Sequence, residues 1–459
     1  MDPATMTEAH ATPRSGDPAN DAPASGLLGD VGAIMSRQVV SLVMGAGTAV
    51  ITARALGAAG LGELALATLW VGLFALILPM SIGYGFIYHI GQRRLSLSET
   101  LSNALTFALV VGLFGALLAT AAGSLWGADV LRGVSAQCLL VAALGLPAMV
   151  FTGTAGLCLT GAGLIRLGAR IGAISSITGL ALCAFLVLGL RLGVVGALAA
   201  VTANAYITSA LFLLMVRRHA RIRPALNMAA IALAVRFGLK LHFGFIAQFL
   251  NYRLDRFIIS FFLGPAAVGI YGIAVLLSEL IWNVPGAVSN ALYPRTSSTR
   301  SDSAELTARA CRVSLLVVGL LCVVAAVAGP PLIPLVFGAE FASAGPVLWA
   351  LLPGVLALTA GKVLAPYLVG HNRPIVGTLG SVASLVATIV LDLLLIPRWG
   401  ILGAGIASSL AYTVGATVFV IYYQRVSRMP LLAAVVPLPS DLLQLRRLAR
   451  TRPNGVPDA

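Results

Sequence analysis

Charged residues occur inside stretches of this sequence that are otherwise apolar. Those that would lie within membrane spans include Arg37, Arg253, Asp255, Arg256, Glu279 and Lys362. A charge in the hydrocarbon region is costly, so such residues usually face a water-filled cavity or a charged partner. A guanidinium group suits phosphate oxygens because it donates two parallel hydrogen bonds, and an ammonium group acts as a compact point charge. The four cations therefore predict contacts with the diphosphate or sugar phosphate of an anionic substrate.

Each cation also has a purely structural interpretation. Arg37 lies about two turns from the inner end of its span, from where its side chain can reach the interface. Arg253 and Arg256 flank Asp255, and the three can form an ion-pair cluster within one helix. Lys362 lies mid-span with no acidic residue nearby in the sequence, and the interface is harder to reach from there. Substrate contact and structural role stay open at all four positions.

The acidic residues are compatible with either ion coupling or internal pairing. Glu279 lies mid-span, where it can take up a proton or cation, or pair with an arginine of the preceding span. Asp255 has the same two interpretations. Asp392 lies near the outer end of its span, close to Arg398, and is expected to pair or to be hydrated. Coupling to a proton or sodium gradient fits these residues, and none of them specifies the ion.

The sequence contains no familiar enzyme motif. It has no GxxxxGK[ST] loop for ATP, no HExxH and no CxxC, so we expect neither an enzyme nor a bound cofactor or metal. A membrane glycosyltransferase or polymerase would need acidic catalytic residues and long outer loops, whereas the loops here are short. The five cysteines lie in or beside apolar stretches and are expected to be small buried residues.

The composition is that of an integral membrane protein. Of 459 residues, 59% are hydrophobic and only 10% are charged, and the mean hydropathy is +0.96. A soluble domain has about 25% charged residues. The net charge of +14 could suggest nucleic-acid binding, but the basic residues alternate with the apolar stretches and do not form one patch. We therefore expect no nucleic-acid partner.

The apolar stretches predict an all-α protein with twelve transmembrane helices. They lie near 31–55, 61–90, 101–126, 134–160, 164–190, 193–216, 236–263, 266–293, 306–328, 345–369, 374–396 and 402–423. The resulting division is a disordered cytoplasmic tail (1–30), an N-terminal six-helix lobe (31–216), a cytoplasmic linker (217–235), a C-terminal six-helix lobe (236–424) and a basic cytoplasmic tail (425–459). The linker is basic at its start and then apolar, which suggests a surface helix.

Short patterns recur between the two halves at an offset of about 207 residues. The matching glycines are Gly57 and Gly264, Gly62 and Gly269, and Gly193 and Gly400. A duplicated helix bundle is typical of transporters, in which a substrate path forms where the repeats meet. Because each half has an even number of predicted spans, we expect the two lobes to be related by a pseudo-two-fold axis along the membrane normal.

Counting Lys and Arg predicts the orientation of the chain. With the N-terminus inside, the inner segments hold twenty of these residues, and the outer loops hold four. The four are Arg54, Arg132, Arg191 and Arg398. Basic residues are retained on the cytoplasmic side, so both termini and the central linker are predicted to be cytoplasmic.

Two stretches resemble a known transporter family. One is Arg54-Ala-Leu-Gly57 followed by Gly62 and Ala65, and the other is Asn251-Tyr-Arg-Leu-Asp255-Arg-Phe-Ile-Ile-Ser-Phe-Phe-Leu-Gly264. The chain from about residue 30 to 425 resembles the multidrug/oligosaccharidyl-lipid/polysaccharide exporter superfamily, and the second stretch is similar to Wzx-type polysaccharide flippases. The resemblance implies a V-shaped pair of lobes in the inner membrane. It implies that a polyprenyl-diphosphate-linked oligosaccharide moves between leaflets for O-antigen or exopolysaccharide export, with a polymerase and export machinery as partners.

Two alternatives within the same superfamily carry different expectations. Cation-coupled multidrug extruders commonly have an acidic residue in the first span, whereas residues 31–55 contain none and include Arg37. Lipid II flippases usually have fourteen spans, against the twelve predicted here. The sugar, the polymer and the coupling ion are not specified by any sequence feature.

Overall fold

The computed structural model describes residues 24–298, 303–373 and 375–430, together with 433, 435 and 436. The described chain is helical, with short connections. The helices are α1 (Ala24–Ile77), α2 (Ile82–Gly91), α3 (Leu97–Val130), α4 (Ala136–Ala143), α5 (Leu146–Gly161), α6 (Ile165–Cys183), α7 (Gly193–Val216), α8 (Met228–Leu263), α9 (Pro265–Ser298), α10 (Ser303–Phe337), α11 (Ala344–Gly370) and α12 (Ile375–Ser427). A π-helical turn, Ala184–Gly189, extends α6, and a 3-10 turn, Ala339–Phe341, precedes α11.

Ten helical segments in the described residues are long and apolar enough to cross a membrane. The sequence predicted twelve, and the difference arises because α1 and α12 each cover two of the predicted spans without an intervening loop. These helices have 54 and 53 residues, so each would be roughly 80 Å long if straight, against a hydrocarbon thickness of about 30 Å. Each is broken by one glycine with a non-helical backbone, Gly57 in α1 and Gly400 in α12.

The glycines that recur in sequence adopt matching backbone conformations. Gly57 has φ 67° and ψ −178°, and Gly264 has φ 82° and ψ −179°. Gly193 and Gly400 have φ 59° and 61°. A positive φ is strained for residues with a side chain, so glycine is favoured at these four breaks. The glycines that recur at an offset of 207 residues in the sequence therefore also share a positive φ in the structure.

Side-chain caps mark where several helices begin. Ser96 accepts a hydrogen bond from the Glu99 amide at the start of α3, and Asn227 accepts from the Ala229 and Ala230 amides at the start of α8. The cap at Asn227 corrects the predicted linker. The apolar residues 228–235 are the first turns of α8 and not a separate surface helix, so the connection between the halves is residues 217–227.

The ends of the chain lie mostly outside the described residues. The predicted N-terminal tail, 1–30, is described only from Ala24, where α1 already begins, seven residues before the predicted first span. The predicted basic tail, 425–459, begins within α12, which ends at Ser427, and most of it lies outside the described part of the chain.

The two halves of the chain meet through closely packed glycines. A Cβ atom on Gly62 would overlap the carbonyl oxygen of Pro265, and one on Gly269 would overlap the carbonyl oxygen of Ala58. These contacts are reciprocal, because Ala58 and Pro265, like the two glycines, are 207 residues apart. The second part of α1 and the start of α9 therefore cross at backbone contact distance.

A second contact between the halves joins α2 to α8. A Cβ atom on Gly85 would overlap the backbone of Ala234, and one on Gly238 would overlap the carbonyl oxygen of Ser81. Ser81 Oγ and His242 Nδ1 lie 3.0 Å apart. Met80 and Ser81 have φ values of 47° and 54°. The chain is therefore not helical between the end of α1 and the start of α2. The crossing at Gly62 and this contact enclose the space between the halves.

Replacing Gly62 with alanine should destabilise the folded protein by about 1–3 kcal/mol, because the added methyl group must push the two backbones apart. The measurement is the midpoint of thermal unfolding of the detergent-purified protein. Gly72→Ala is the matched control on the same helix, because no atom lies within 4 Å of a Cβ atom there. Equal melting temperatures for the two variants would contradict the close crossing.

Candidate functional site

An ion pair joins α8 to α9 in the space between the two halves. Arg253 Nη1 lies 2.9 Å from Glu279 Oε1, and both side chains are partly exposed, at 29% and 23%. This contact is the ion pair expected under the pairing interpretation of Glu279. The two residues lie on different spans, so the pair fixes the spacing of α8 and α9 beside an open space.

Asp255 does not form the predicted ion-pair cluster with its neighbouring arginines. Its carboxylate is buried and accepts a hydrogen bond from the Tyr271 hydroxyl at 2.5 Å and from the Arg256 backbone amide at 2.8 Å. The Tyr271 hydroxyl also lies 3.1 Å from Ser408 Oγ. Neither guanidinium group lies within ion-pair distance of Asp255 among the described residues. The ion-pair alternative is not formed in the described structure, because residues one and two positions apart on a helix project in different directions.

The guanidinium group of Arg256 is incompletely satisfied. Its Nε is buried and has no hydrogen-bond partner in the described structure. Arg253 and Arg256 are three residues apart, so they lie on the same side of α8. Both line a cavity of about 440 Å³ together with Glu279 from α9, and Thr52 and Thr68 from α1. This cavity is formed by both halves of the chain and presents two guanidinium groups against one carboxylate.

A larger cavity adjoins the first one. It has a volume of about 560 Å³ and is lined by α2 and α5 of the N-terminal half and by α8 of the C-terminal half. Phe249 and Arg253 line both cavities, so the two spaces meet at these side chains. Tyr84 and Phe245 stack across the halves with ring centroids 4.7 Å apart. The space between the halves therefore has an apolar wall, and the cationic side chain of Arg253 lies where the two cavities meet.

Lys362 lies in a third cavity, within the C-terminal half. Its Nζ lies 4.4 Å from the ring centroid of Trp282. Trp282 belongs to an aromatic cluster with Tyr252 and Tyr412, whose ring centroids are 5.0 and 6.2 Å from it. The cavity has a volume of about 330 Å³ and is lined by α8, α9, α11 and α12. No described carboxylate lies within ion-pair distance of Lys362.

Arg37 lies apart from the other three cations. Its side chain is exposed on α1 and rests on Gly172 of α6, where a Cβ atom would lie 2.5 Å from Arg37 Nε. It does not line the cavities that contain Arg253, Arg256 and Lys362. The structure therefore brings Arg253 and Arg256 together, places Lys362 in an adjoining space, and leaves Arg37 on a separate surface.

Asp392 is a candidate that the sequence interpretation placed wrongly. It is fully buried, and both carboxylate oxygens are without a hydrogen-bond partner in the described structure. Arg398 does not pair with it and donates to the Leu394 carbonyl oxygen at 3.1 Å. The charges of Asp392 and Asp255 lie within electrostatic range of each other. The signal in the sequence was an acidic residue inside an apolar stretch. The expected partner, Arg398, does not reach this carboxylate because Asp392 is buried.

The packing of α8 against α12 explains how these two acids come together. Thr388 Oγ1 donates to Asn251 Oδ1 at 3.2 Å. Asp255 lies one turn beyond Asn251 on α8, and Asp392 lies one turn beyond Thr388 on α12. The two helices thus contact each other through a neutral hydrogen bond and, one turn further along, place two buried carboxylates near each other.

This fold is that of the transporters of the MOP superfamily. The structure is similar to lipid II flippase MurJ in an inward closed conformation, with a TM-score of 0.72 and 13% identity, covering 92% of this chain and 93% of that one. It is also similar to an inward-facing multidrug resistance MATE family transporter of the superfamily, with a TM-score of 0.66 and 15% identity, over 84% of this chain and 95% of that one. At these identities the likeness concerns the fold alone.

The sequence places the chain in a family more narrowly. Residues 51–346 match the model of a family described as polysaccharide biosynthesis protein, and the chain belongs to that family. Two Haloferax volcanii proteins are similar to it: probable low-salt glycan biosynthesis flippase Agl15, 25% identical over 174 residues, and probable flippase AglR, 29% identical over 175 residues. The alignments cover 37% of this chain and of Agl15, and 36% of this chain and of AglR. The predicted resemblance is thus confirmed for the family and the fold.

Proposed function

We propose that this protein moves a polyprenyl-diphosphate-linked oligosaccharide from the inner to the outer leaflet of the cell membrane. The observation that carries the proposal is the cavity between the halves, where Arg256 has a buried Nε without a partner beside Arg253. A bound diphosphate would supply the missing acceptors and balance the two positive charges. The role is transport and not catalysis, and the expected setting is export of a surface polysaccharide together with a polymerase and export machinery.

The proposed topology has twelve crossings in two six-helix lobes with both termini in the cytoplasm. The glycine breaks in α1 and α12 support it, because each divides a helix that is too long for one crossing into two helices of suitable length. The distribution of basic residues supports the orientation. Single cysteines at the exposed positions Arg191 and Arg398 should react with an impermeant reagent from outside, and those at Arg94 and Arg218 should not. The reverse pattern would overturn the orientation.

The transport cycle is proposed to rock one lobe against the other. Polar contacts cross between the halves at the end that the topology places outside, and one of them is a hydrogen bond from Arg54 Nη2 to the Leu335 carbonyl oxygen. The Ala58 amide donates to Glu340 Oε2 at 3.0 Å, Arg54 Nε donates to the Val336 carbonyl oxygen at 2.8 Å, and Arg132 Nη1 donates to that of Phe261 at 3.2 Å. Opening toward the outside must break these contacts. They support a conformation that is closed on the outer side.

We further propose that a coupling cation, H⁺ or Na⁺, is taken up at Asp255 and Asp392. A buried carboxylate without a partner is costly unless it is neutralised. Asp392 meets that description, and Asp255 lies nearby with its one hydroxyl partner, Tyr271. Glu279 is less suited to this role, because Arg253 already balances its charge. Neutralising the two acids would change the packing of α8 against α12. Because α8 also carries Arg253 and Arg256, this change would link the coupling site to the arginines.

Deleting the gene tests the proposed function. The deletion strain should lose a surface polysaccharide, accumulate lipid-linked repeat units on the cytoplasmic leaflet, and keep its normal sensitivity to cationic dyes. Normal polysaccharide with new sensitivity to ethidium-like dyes would favour a multidrug extruder. Accumulation of lipid II in place of repeat units would favour a lipid II flippase. Either result would reject the proposed substrate.

A further inference from the structure

The cavity around Lys362 has features that the diphosphate does not require. It is lined by hydroxyl and amide side chains and by the rings of Tyr252 and Tyr412, and Trp282 packs against both rings and under the Lys362 ammonium. Asn290 and Ser381 both face this cavity, and neither makes a hydrogen bond to another described residue. Their unused amide and hydroxyl groups give the cavity wall polar groups that can bind a polar ligand.

The cavity adjoins the proposed diphosphate site along α8. Gln248 and Tyr252 line both the Lys362 cavity and the 560 Å³ cavity between the halves, and Arg253 lines that cavity and the one containing Arg256. From Arg256 to Gln248 the helix rises about 12 Å. A molecule with its phosphates at Arg256 would thus place the sugars attached to them near Tyr252.

The ammonium group of Lys362 adds a charge requirement. It lies over the Trp282 ring, and the cation–π contact orients it without neutralising its charge. A single ammonium on a flexible stem, in a separate cavity from the guanidinium groups, suits one carboxylate better than a diphosphate. Aromatic faces suit the C–H faces of a pyranose ring, and the amide and hydroxyl groups suit its hydroxyls.

We infer that the Lys362 cavity is a sugar-binding subsite that selects a carboxyl-bearing sugar, such as a uronic acid, in the transported oligosaccharide. This inference rests on the proposed function and adds to it the class of sugar. The arginines bind the diphosphate, and Lys362 and the aromatic cluster bind the sugar and select it. Specificity for the acidic sugar arises because a carboxyl group would give the ammonium a direct ion-pair partner, and no described carboxylate lies within ion-pair distance of it.

Saturation-transfer NMR with the purified protein in nanodiscs tests the subsite, with methyl β-glucuronide and methyl β-glucoside as probes. Wild-type protein should give a signal about tenfold stronger with the glucuronide, as expected for one charge-assisted contact. Lys362→Gln should equalise the two sugars, and Arg256→Gln should leave the preference intact, because that residue lies in the other cavity. Trp282→Leu should weaken both signals.

Equal signals in the wild type, or a preference that survives Lys362→Gln, would overturn the inference. These outcomes can be distinguished from failure of the proposed function. Loss of polysaccharide in the deletion strain without a glucuronide preference would reject only the subsite. A glucuronide preference in a protein whose deletion leaves polysaccharide export normal would keep the subsite and reject the transported substrate.

Discussion

Replacing Arg256 with glutamine should slow flipping of a lipid-linked oligosaccharide by about 10- to 100-fold. The variant loses one charge-assisted hydrogen-bonding group, worth about 1.5–3 kcal/mol. Protein level should not fall, because Arg256 has no carboxylate partner that would be left uncompensated among the described residues. The measurement is the initial flipping rate of a short-chain fluorescent polyprenyl-diphosphate sugar in proteoliposomes.

The controls for this experiment follow from the ion pair beside it. Arg94→Gln removes an exposed arginine of a connecting segment and should leave the flipping rate unchanged. Arg253→Gln should slow flipping and also lower stability, since Glu279 loses its partner. A wild-type rate for Arg256→Gln would mean that the diphosphate does not bind in this cavity.

Replacing Asp392 with asparagine should abolish the dependence of transport on the ion gradient. One charge moved across a potential of about 100 mV is worth about 2.3 kcal/mol, which corresponds to roughly 50-fold in the accumulation that the gradient supports. The variant removes this charge at nearly constant volume. Because the Asp392 oxygens have no partner in the described structure, the substitution should not destabilise the protein.

The gradient experiment also identifies the ion. Proteoliposomes with a pH gradient alone and with a sodium gradient alone should differ, and only one should drive the wild-type protein. Glu305→Gln is the control for removing an acid elsewhere in the chain. The Glu305 side chain is 63% exposed but pairs with the buried Arg312 at 3.3 Å, so protein level is measured alongside transport. If Asp392→Asn still responds to the gradient that drives the wild type, coupling does not pass through this residue.

The family and the membrane character could be predicted from the sequence because both depend on local properties. Apolar stretches of spanning length are visible in a window of residues, and interrupting charges stand out within them. The repeat was also visible in the sequence. A backbone with positive φ favours glycine, so the equivalent position of each half carries a glycine. Gly57 and Gly264 adopt that backbone in the structure. The separation of α1 and α12 into two crossings each was a prediction from length, and it stays a proposal.

The partners of the charged residues could be established only from the tertiary structure. Sequence proximity suggested that Arg253 pairs with Asp255, whereas helix geometry turns Asp255 toward Tyr271 and leaves Arg253 to Glu279 on the next helix. Lys362 meets Trp282, which is eighty positions away in the chain. Hydropathy determines which residues enter the membrane, because it is a property of each segment alone. Which side chains then satisfy one another depends on how helices distant in sequence cross, and that is decided by packing.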